Sequence, residues 1–311
     1  MKILITGGAG FIGSQIADAF ISAGHNVCIV DNLSTGVKDN INTKAKFYEK
    51  DITDKEIIRI FEKENFDVVC HQAAQIDVRK SVADPVFDAN TNILGTLNLL
   101  QACVKTGVKK FMFASTGGAI YGEQDYFPAD ENHPTRPVSP YGITKLTIEK
   151  YLFYYHIQYK LNYTVLRYAN VYGPRQNPFG EAGVVAIFAN KLLREEQPVI
   201  NGAGEQTRDY VYVGDVVKAN VLTLEDKEST IYNVGTGIET NVSRIFKHLN
   251  ELTGNIVEER HGPQAKGEQM RSVVTSDKLK SKFDWKPSTS LMEGLSKTVE
   301  FFKTKTTNFK K

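Results

Sequence analysis

The sequence predicts an α/β fold in which helices cover both faces of a doubly wound parallel sheet, with a smaller mixed α/β lobe after it. Three observations predict it. Short apolar runs alternate with longer helical patterns through the first half, a glycine-rich turn follows the first run, and an aspartate closes the second. Such alternation implies right-handed βαβ units, whose sheets take ligands beyond the carboxyl ends of the strands.

A chain of 311 residues with 41% hydrophobic content can bury a substantial core. Lys and Arg total 38 against 36 Asp and Glu, so no global field draws in nucleic acid or an anionic membrane. Any phosphate must therefore be held locally. No apolar run approaches the roughly 20 residues that span a bilayer. The chain opens with a strand pattern, Met1-Lys2-Ile3-Leu4-Ile5-Thr6, instead of a signal peptide, and a soluble cytoplasmic protein is expected. Cys28, Cys70 and Cys103 are odd in number, widely spaced and set in apolar runs. They read as reduced core residues, not as metal ligands or a disulfide.

Taken in order, Ile3–Thr6, Val27–Val30, Lys46–Glu49, Asp67–His71, Lys110–Ala114 and Thr164–Arg167 read as strands, with helices expected near 12–23, 54–64, 84–106 and 140–161. After residue 168 the pattern turns to Gly/Pro-rich segments with shorter elements. This places a dinucleotide-binding domain at 1–168 and a second lobe at 169–311. Asp209–Val213 and Ile231–Val234 look like strands that could return to the first sheet.

The first turn contains Gly7, Gly8, Gly10 and Gly13 between a strand and a helix, and Asp31 stands eighteen positions after Gly13 at the end of the second strand. Glycines there let the backbone approach a pyrophosphate whose charge is met by the helix N-terminus. A carboxylate at Asp31 accepts from the adenosine ribose hydroxyls and repels a 2′-phosphate, so this Rossmann-type site favours NAD over NADP. Asp51, after the third strand, either helps hold the adenine or caps the helix beginning near Thr53 or Asp54.

Tyr141 and Lys145 are four apart on an expected helix that Pro140 opens, so they share a face. An ammonium near a phenol favours the phenolate, which suits a general base. Ser115 and Thr116 bring hydroxyls to the same sheet edge, either to relay a proton or to bond local backbone.

These segments resemble the extended short-chain dehydrogenase/reductases, and among them the UDP-glucose 4-epimerase family, including members acting on N-acetylated sugars. The resemblance runs through Gly7–Gly13, Asp31–Gly36, His71–Gln75, Asn92–Thr96, Ser139–Lys145 and Arg167–Gly173. It implies that NAD is lined by Gly7, Gly10, Phe11, Ile12, Gly13, Asp31, Asn32, Leu33, Ser34, Thr35, Gly36, Asp51, Ile52, Gln72, Ala73, Ala74, Gln75 and Asn92. It makes Tyr141 the base and has Lys145 also hold the nicotinamide ribose. The relay hydroxyl is less simply placed, because the strand-end loop carries one extra residue before Tyr121. Counting back from Tyr121 lands on Gly117 and from Tyr141 on Thr116, so Thr116 is taken, with Ser115 as alternate.

For a UDP-sugar substrate the resemblance implies contacts from Asn170, Val184, Val199, Asn201 and Arg208. Arg208 suits bidentate contact with phosphate, or else a salt bridge to Asp209 or another acid. The family commonly carries an arginine where this chain has Ala265, so either Lys266 or Arg271 compensates or the affinity for phosphate is weaker. Ser272 stands where family members limit bulk at sugar C2, and a serine there admits an N-acetyl group.

Related dehydratases and decarboxylases carry an acid after the relay hydroxyl, whereas Gly117-Gly118 supplies none. The implied reaction is therefore oxidation at C4, rotation of the keto sugar and return of the same hydride. The rivals are a net reductase, an epimerase for another carbon or nucleotide, and a silent NAD-binding scaffold. A homodimer through a four-helix bundle is also implied, using the apolar surface of the helices at 84–106 and 140–161. The alternative is that this surface packs on the sheet.

Overall fold

The structure, a computed structural model, describes residues 1–179, 183–255, 257–264 and 269–308. Ala265, Lys266 and the Gly267-Glu268 pair lie outside the described residues, so the missing family arginine and its lysine replacement have no structural account.

Strand β1 (Lys2–Thr6) leads through α1 (Phe11–Ser22) to β2 (Asn26–Asp31) and β3 (Lys46–Glu49), and α2 (Ile57–Glu64) leads to β4 (Val68–His71). Helices α3 (Val78–Ala83), α4 (Pro85–Ala89) and α5 (Gly95–Thr106) precede β5 (Lys110–Thr116), and α6 (Pro140–Tyr159) precedes β6 (Asn162–Tyr168). Beyond these come β7 (Asn170–Tyr172), α7 (Val184–Leu193), β8 (Ile200–Asn201), β9 (Thr207–Tyr212), α8 (Val213–Thr223) and β10 (Thr230–Val234). The remainder is β11 (Glu239–Asn241), α9 (Val242–Thr253), β12 (His261–Gly262), β13 (Arg271–Ser272), α10 (Asp277–Phe283) and α11 (Leu291–Asn308).

A seven-stranded parallel sheet has the order β3-β2-β1-β4-β5-β6-β10. Strand alternation puts Ile3, Ile5, Val27 and Ile29 on one face with Ile16 and Phe20 of α1. Leu4, Cys28 and Val30 face the other way with Ile57 and Phe61 of α2, Leu99 of α5 and Ile148 of α6. Both faces are thus buried, as near-continuous apolar strands require. The three cysteines are buried and free. A second core gathers α7, α9 and α11 around Phe188, Phe246 and Phe302. Among the described residues, no helix is long and apolar enough to cross a membrane.

One expectation needs correction. Ile231–Val234 does return to the main sheet, as β10 beside β6, but Asp209–Val213 does not. Strand β9 belongs to a separate four-stranded sheet with β7, β11 and β13. Segment 84–106 is helical from Pro85 to Thr106, as expected, but not α-helical throughout. Pro85 disfavours helical backbone at Asp84, whose side chain instead caps α4 by accepting from the Phe87 N–H at 2.9 Å. A π-helical turn at Asn90–Leu94 then carries the helical backbone from α4 into α5 without a break.

Helix α6 starts where Ser139 accepts from the Gly142 N–H at 3.2 Å and Pro140 fills the first position. It is tied to the sheet by Glu149, which takes Arg167 Nη2 at 2.6 Å and Nε at 3.0 Å and the Ser115 hydroxyl at 2.6 Å. The Glu149 and Arg167 side chains are 2% and 4% exposed. Removing one partner would strand the other charge in the core. Glu149→Ala is expected to destabilise the fold by about 3–5 kcal/mol in denaturant unfolding, and a loss well under 1 kcal/mol would contradict this account.

Candidate active site

The glycine turn depends on close approach of backbone to backbone. Gly7 has φ +69°, and a Cβ there would lie 2.6 Å from the Ala73 nitrogen, while a Cβ on Gly13 would collide with the Gly7 carbonyl. The turn is closed by Gly7 N–H to Val30 O at 2.8 Å and Gly10 N–H to Gly7 O at 3.1 Å. Helix α1 starts at Phe11, Ile12 and Gly13, with no side-chain cap at Gly10 and no acid in its first turn. Its N-terminal donors thus meet no competing carboxylate of their own.

Asp31, buried at the end of β2, accepts from the Ala9 N–H at 3.0 Å and the Leu33 N–H at 2.8 Å through different oxygens. Each oxygen keeps a lone pair for a ribose hydroxyl. Leu33 is held at φ +55°, and a Cβ on Gly36 would come within 2.8 Å of Asp31 Oδ1. Asn32 accepts from the Ser34 N–H and hydroxyl and donates to Asp51 at 2.6 Å. Asp51 in turn accepts from Thr53 N–H at 2.8 Å and its hydroxyl at 2.7 Å. Burial opposes the Asp51 charge, but the bonds from Thr53 and Asn32 outweigh it and lower its pKa. Helix α2 begins only at Ile57, with Glu56 at its N-cap, so Asp51 shapes a turn and does not cap that helix. Ile52 is buried against the site where a Gly95 Cβ would sit. The residues present therefore fit NAD.

The loop after β4 carries Gln72–Gln75. Gln72 donates its N–H to Thr6 O at 3.0 Å, and Ala73 donates to the Thr6 hydroxyl at 3.4 Å. Asn92 was expected to touch the cofactor, but its amide is spent elsewhere. It accepts from the Gln75 N–H at 2.9 Å and donates to Gln75 O and to Asp88 at 3.0 Å each. Asn92 shapes the loop from behind.

At the carboxyl end of β5 the two hydroxyls part. Ser115 donates to Glu149, which commits it to the buried pair, whereas Thr116 Oγ1 accepts from the Ala119 N–H at 3.1 Å. A Cβ on Gly118 would stand 3.8 Å from Thr116 Oγ1 and 3.5 Å from Asn170 Oδ1, so these polar groups share one small space.

Lys145 is buried, donates to Ala114 O at 2.8 Å, and lies 4.8 Å from the Phe113 ring centroid and 5.8 Å from that of Tyr141. Burial pulls its pKa down to about 8, against the raising effect of Asp88 and Glu149. Tyr141 runs against the expectation from spacing. Burial raises its pKa and Asp88 raises it further, so the protein's own groups favour the phenol. His71, beneath them, bonds Thr6 and Thr96 at 2.6 and 2.8 Å. Burial, aided by Lys145, lowers it to about 3 and keeps it neutral.

Tyr141, Asn170, Val184 and Arg208 line one cleft with Ile76, Gln206 and Tyr210. Gln206 and Tyr210 were not singled out from the sequence, although strand alternation puts both on the side of Arg208. Asp209 is taken up by Thr236 and Gly237. Val199 and Asn201 are exposed beside β12 and lie outside the cleft lining among the described residues. Arg271 is committed to Glu239 through Nε at 2.9 Å and Nη2 at 2.8 Å and stacks 3.7 Å over Phe127. It does not stand in for the missing arginine in this arrangement. Ser272 is buried in the ladder beside Arg208, not in the cleft lining.

A dinucleotide cradle meeting a Tyr-x-x-x-Lys helix at the sheet's carboxyl edge defines an extended short-chain dehydrogenase/reductase. Residues 3–235 match the model of the NAD dependent epimerase/dehydratase family, and the chain belongs to that family. Its fold is similar to that of UDP-glucose 4-epimerase from Thermotoga maritima with UDP-glucose, at 51% identity and TM-score 0.97 over 98% of this chain and 100% of that one. It is similar to the Thermus thermophilus UDP-glucose 4-epimerase in complex with NAD, at 44% identity and TM-score 0.92 over 97% and 99%. It also matches UDP-N-acetylglucosamine 4-epimerase from Methanobrevibacter ruminantium with UDP-N-acetylmuramic acid, at 35% identity and TM-score 0.92 over 98% of each chain.

The Lys145 shift has a stability consequence with a definite sign. Between its folded value of about 8 and an unfolded value of about 10.4, the unfolded chain binds the extra proton. Stability then rises with pH across that window. Replacing Lys145 by Met should flatten the rise in denaturant midpoint between about pH 8 and 10.5; parallel pH curves for the two proteins would refute it.

Proposed function

We propose that the protein is an NAD-dependent UDP-hexose 4-epimerase that interconverts UDP-glucose and UDP-galactose, and the N-acetylated pair, through a transient 4-keto sugar. The observation that carries this reading is the single cleft that gathers Tyr141, Asn170 and Arg208 next to the Thr116 hydroxyl. The sequences and structures to which the chain is similar support the same chemistry.

Tyr141 takes the proton of the sugar C4 hydroxyl, with Thr116 as relay, and gives it back on the other face. Ser115 has no such part, because its hydroxyl is held by Glu149. NAD, when bound, supplies the hydride acceptor and donor at C4. Lys145 holds the nicotinamide ribose, Asp31 the adenosine ribose, and the α1 N-terminus the pyrophosphate. Arg208 meets the substrate diphosphate, with Asn170 and Val184 along the nucleotide sugar. Gly117 and Gly118 place no acid at the keto sugar, which excludes a dehydration step driven from this loop. The space in front of Gly118 lets the intermediate turn.

The protein works as a homodimer in the cytoplasm. Val82, Val86, Phe87 and Leu94 around α4, with Ile143, Tyr154 and Ile157 on α6, form an exposed apolar surface suited to a four-helix bundle between two copies.

With no cofactor added, the purified protein should convert UDP-galactose to UDP-glucose over many turnovers, where a reductase would stall. Tyr141→Phe should lose on the order of 10²–10⁴-fold in kcat while retaining NAD; full activity in that variant would remove Tyr141 from the chemistry.

A further inference from the structure

Asp88 on α4 is completely buried, yet only one of its carboxylate oxygens is used. Oδ1 accepts from Gln75 Nε2 at 2.9 Å and Asn92 Nδ2 at 3.0 Å, whereas Oδ2 meets no hydrogen-bond partner among the described residues. Half-satisfied buried carboxylates are costly and call for a reason.

The neighbours supply one. Asn92 Nδ2 also reaches Thr144 Oγ1 at 3.4 Å, and that hydroxyl donates to the Tyr141 carbonyl at 2.8 Å. Lys145 follows Thr144 directly. On its other side Asn92 grips both the N–H and the carbonyl of Gln75, in the loop whose next residue, Ile76, lines the cleft with Tyr141. Asp88 is therefore the shared acceptor behind the loop and the helix that form two walls of the site.

We propose that Asp88 is a positioning residue for the Tyr141–Lys145 pair, acting on both side chains through its charge and on the cleft wall through Asn92 and Gln75. This rests on Tyr141 being the base. The charge favours the ammonium of Lys145 and the neutral phenol of Tyr141, in each case behind the larger effect of burial. The other titratable and charged groups on the elements packed against α4 are Glu149, Lys150, Tyr151, Tyr154, Tyr155, His156 and Tyr159 on α6, Arg79 and Lys80 on α3, and Asp77 and Asp84 at the two helix caps, while His71 on β4 interacts with Lys145. Glu149 is neutralised by Arg167, His71 is neutral, and Lys80 lies over the Phe87 ring. A residue that must both remove and restore the same proton gains from such opposition, since Lys145 alone would favour the phenolate and slow the return step.

The test compares wild-type and Asp88→Asn holoenzymes, with Asp88→Ser as a second neutral variant should the first misfold. The acid limb of the kcat/KM profile should move to lower pH by roughly one unit. Ultraviolet titration of tyrosinate, taken as the difference between each protein and its Tyr141→Phe counterpart, should move by the same amount. That second measurement needs no turnover. A phenol that shifts while the rate profile stays in place supports the action of Asp88 and refutes Tyr141 as base. A phenol that does not shift overturns the proposal, and lower thermal stability alone, with the phenol unmoved, leaves Asp88 purely structural.

Discussion

The hydrogen bond from Lys145 to the Ala114 carbonyl, 2.8 Å long, decides how α6 sits on the sheet. Tyr141, Lys145 and Glu149 recur every four residues, so they form one stripe along the helix. Lys145 holds the end of β5, and Glu149, one turn on, holds Ser115 and Arg167 from β5 and β6. Tyr141 is thereby carried past the strand ends to the cleft, with its N–H fixed by Ser81 Oγ at 3.2 Å. The reactive residue borrows its rigidity from two charged residues that the substrate does not need to reach.

That arrangement explains which parts of the site were legible in the sequence. The glycine turn, Asp31 and the Tyr141–Lys145 spacing are local patterns whose backbone demands leave few residue choices. The bonds of Asn92 to Gln75 and Asp88 were not readable, because a motif tells which residue is present but not which way its amide faces. Gln206 and Tyr210 were readable, since alternation on β9 follows from the placement of Arg208 alone. Asp88 was not, because its importance comes from a partner thirteen positions back, Asn92 and α6 meeting in space. The ionisation of Tyr141 was misjudged for a similar reason. Spacing reveals the nearby ammonium but neither the burial nor the opposing carboxylate.

The fold divides in the same way. Apolar strands flanked by helical patterns specify a parallel sheet strongly, because only strands buried on both faces read as near-continuous apolar runs. Strand β9 is less apolar, with Thr207, Arg208 and Asp209 in its first half, and it pairs in the smaller sheet. The start of the 84–106 helix was visible in Asp84-Pro85, whereas the π-helical turn within it at Asn90–Leu94 has no sequence mark of its own. That turn lies where Asn92 bridges loop and helix.

The return of β10 to β6 also bears on synthesis. Strand β6 ends at Tyr168, but the partner that covers its outer edge spans Thr230–Val234. Until that stretch leaves the ribosome, the growing sheet presents a row of unpaired backbone groups, the kind of edge that recruits foreign strands. All of the chain that forms β7, α7, β9 and α8 must therefore be made before β6 gains its outer neighbour.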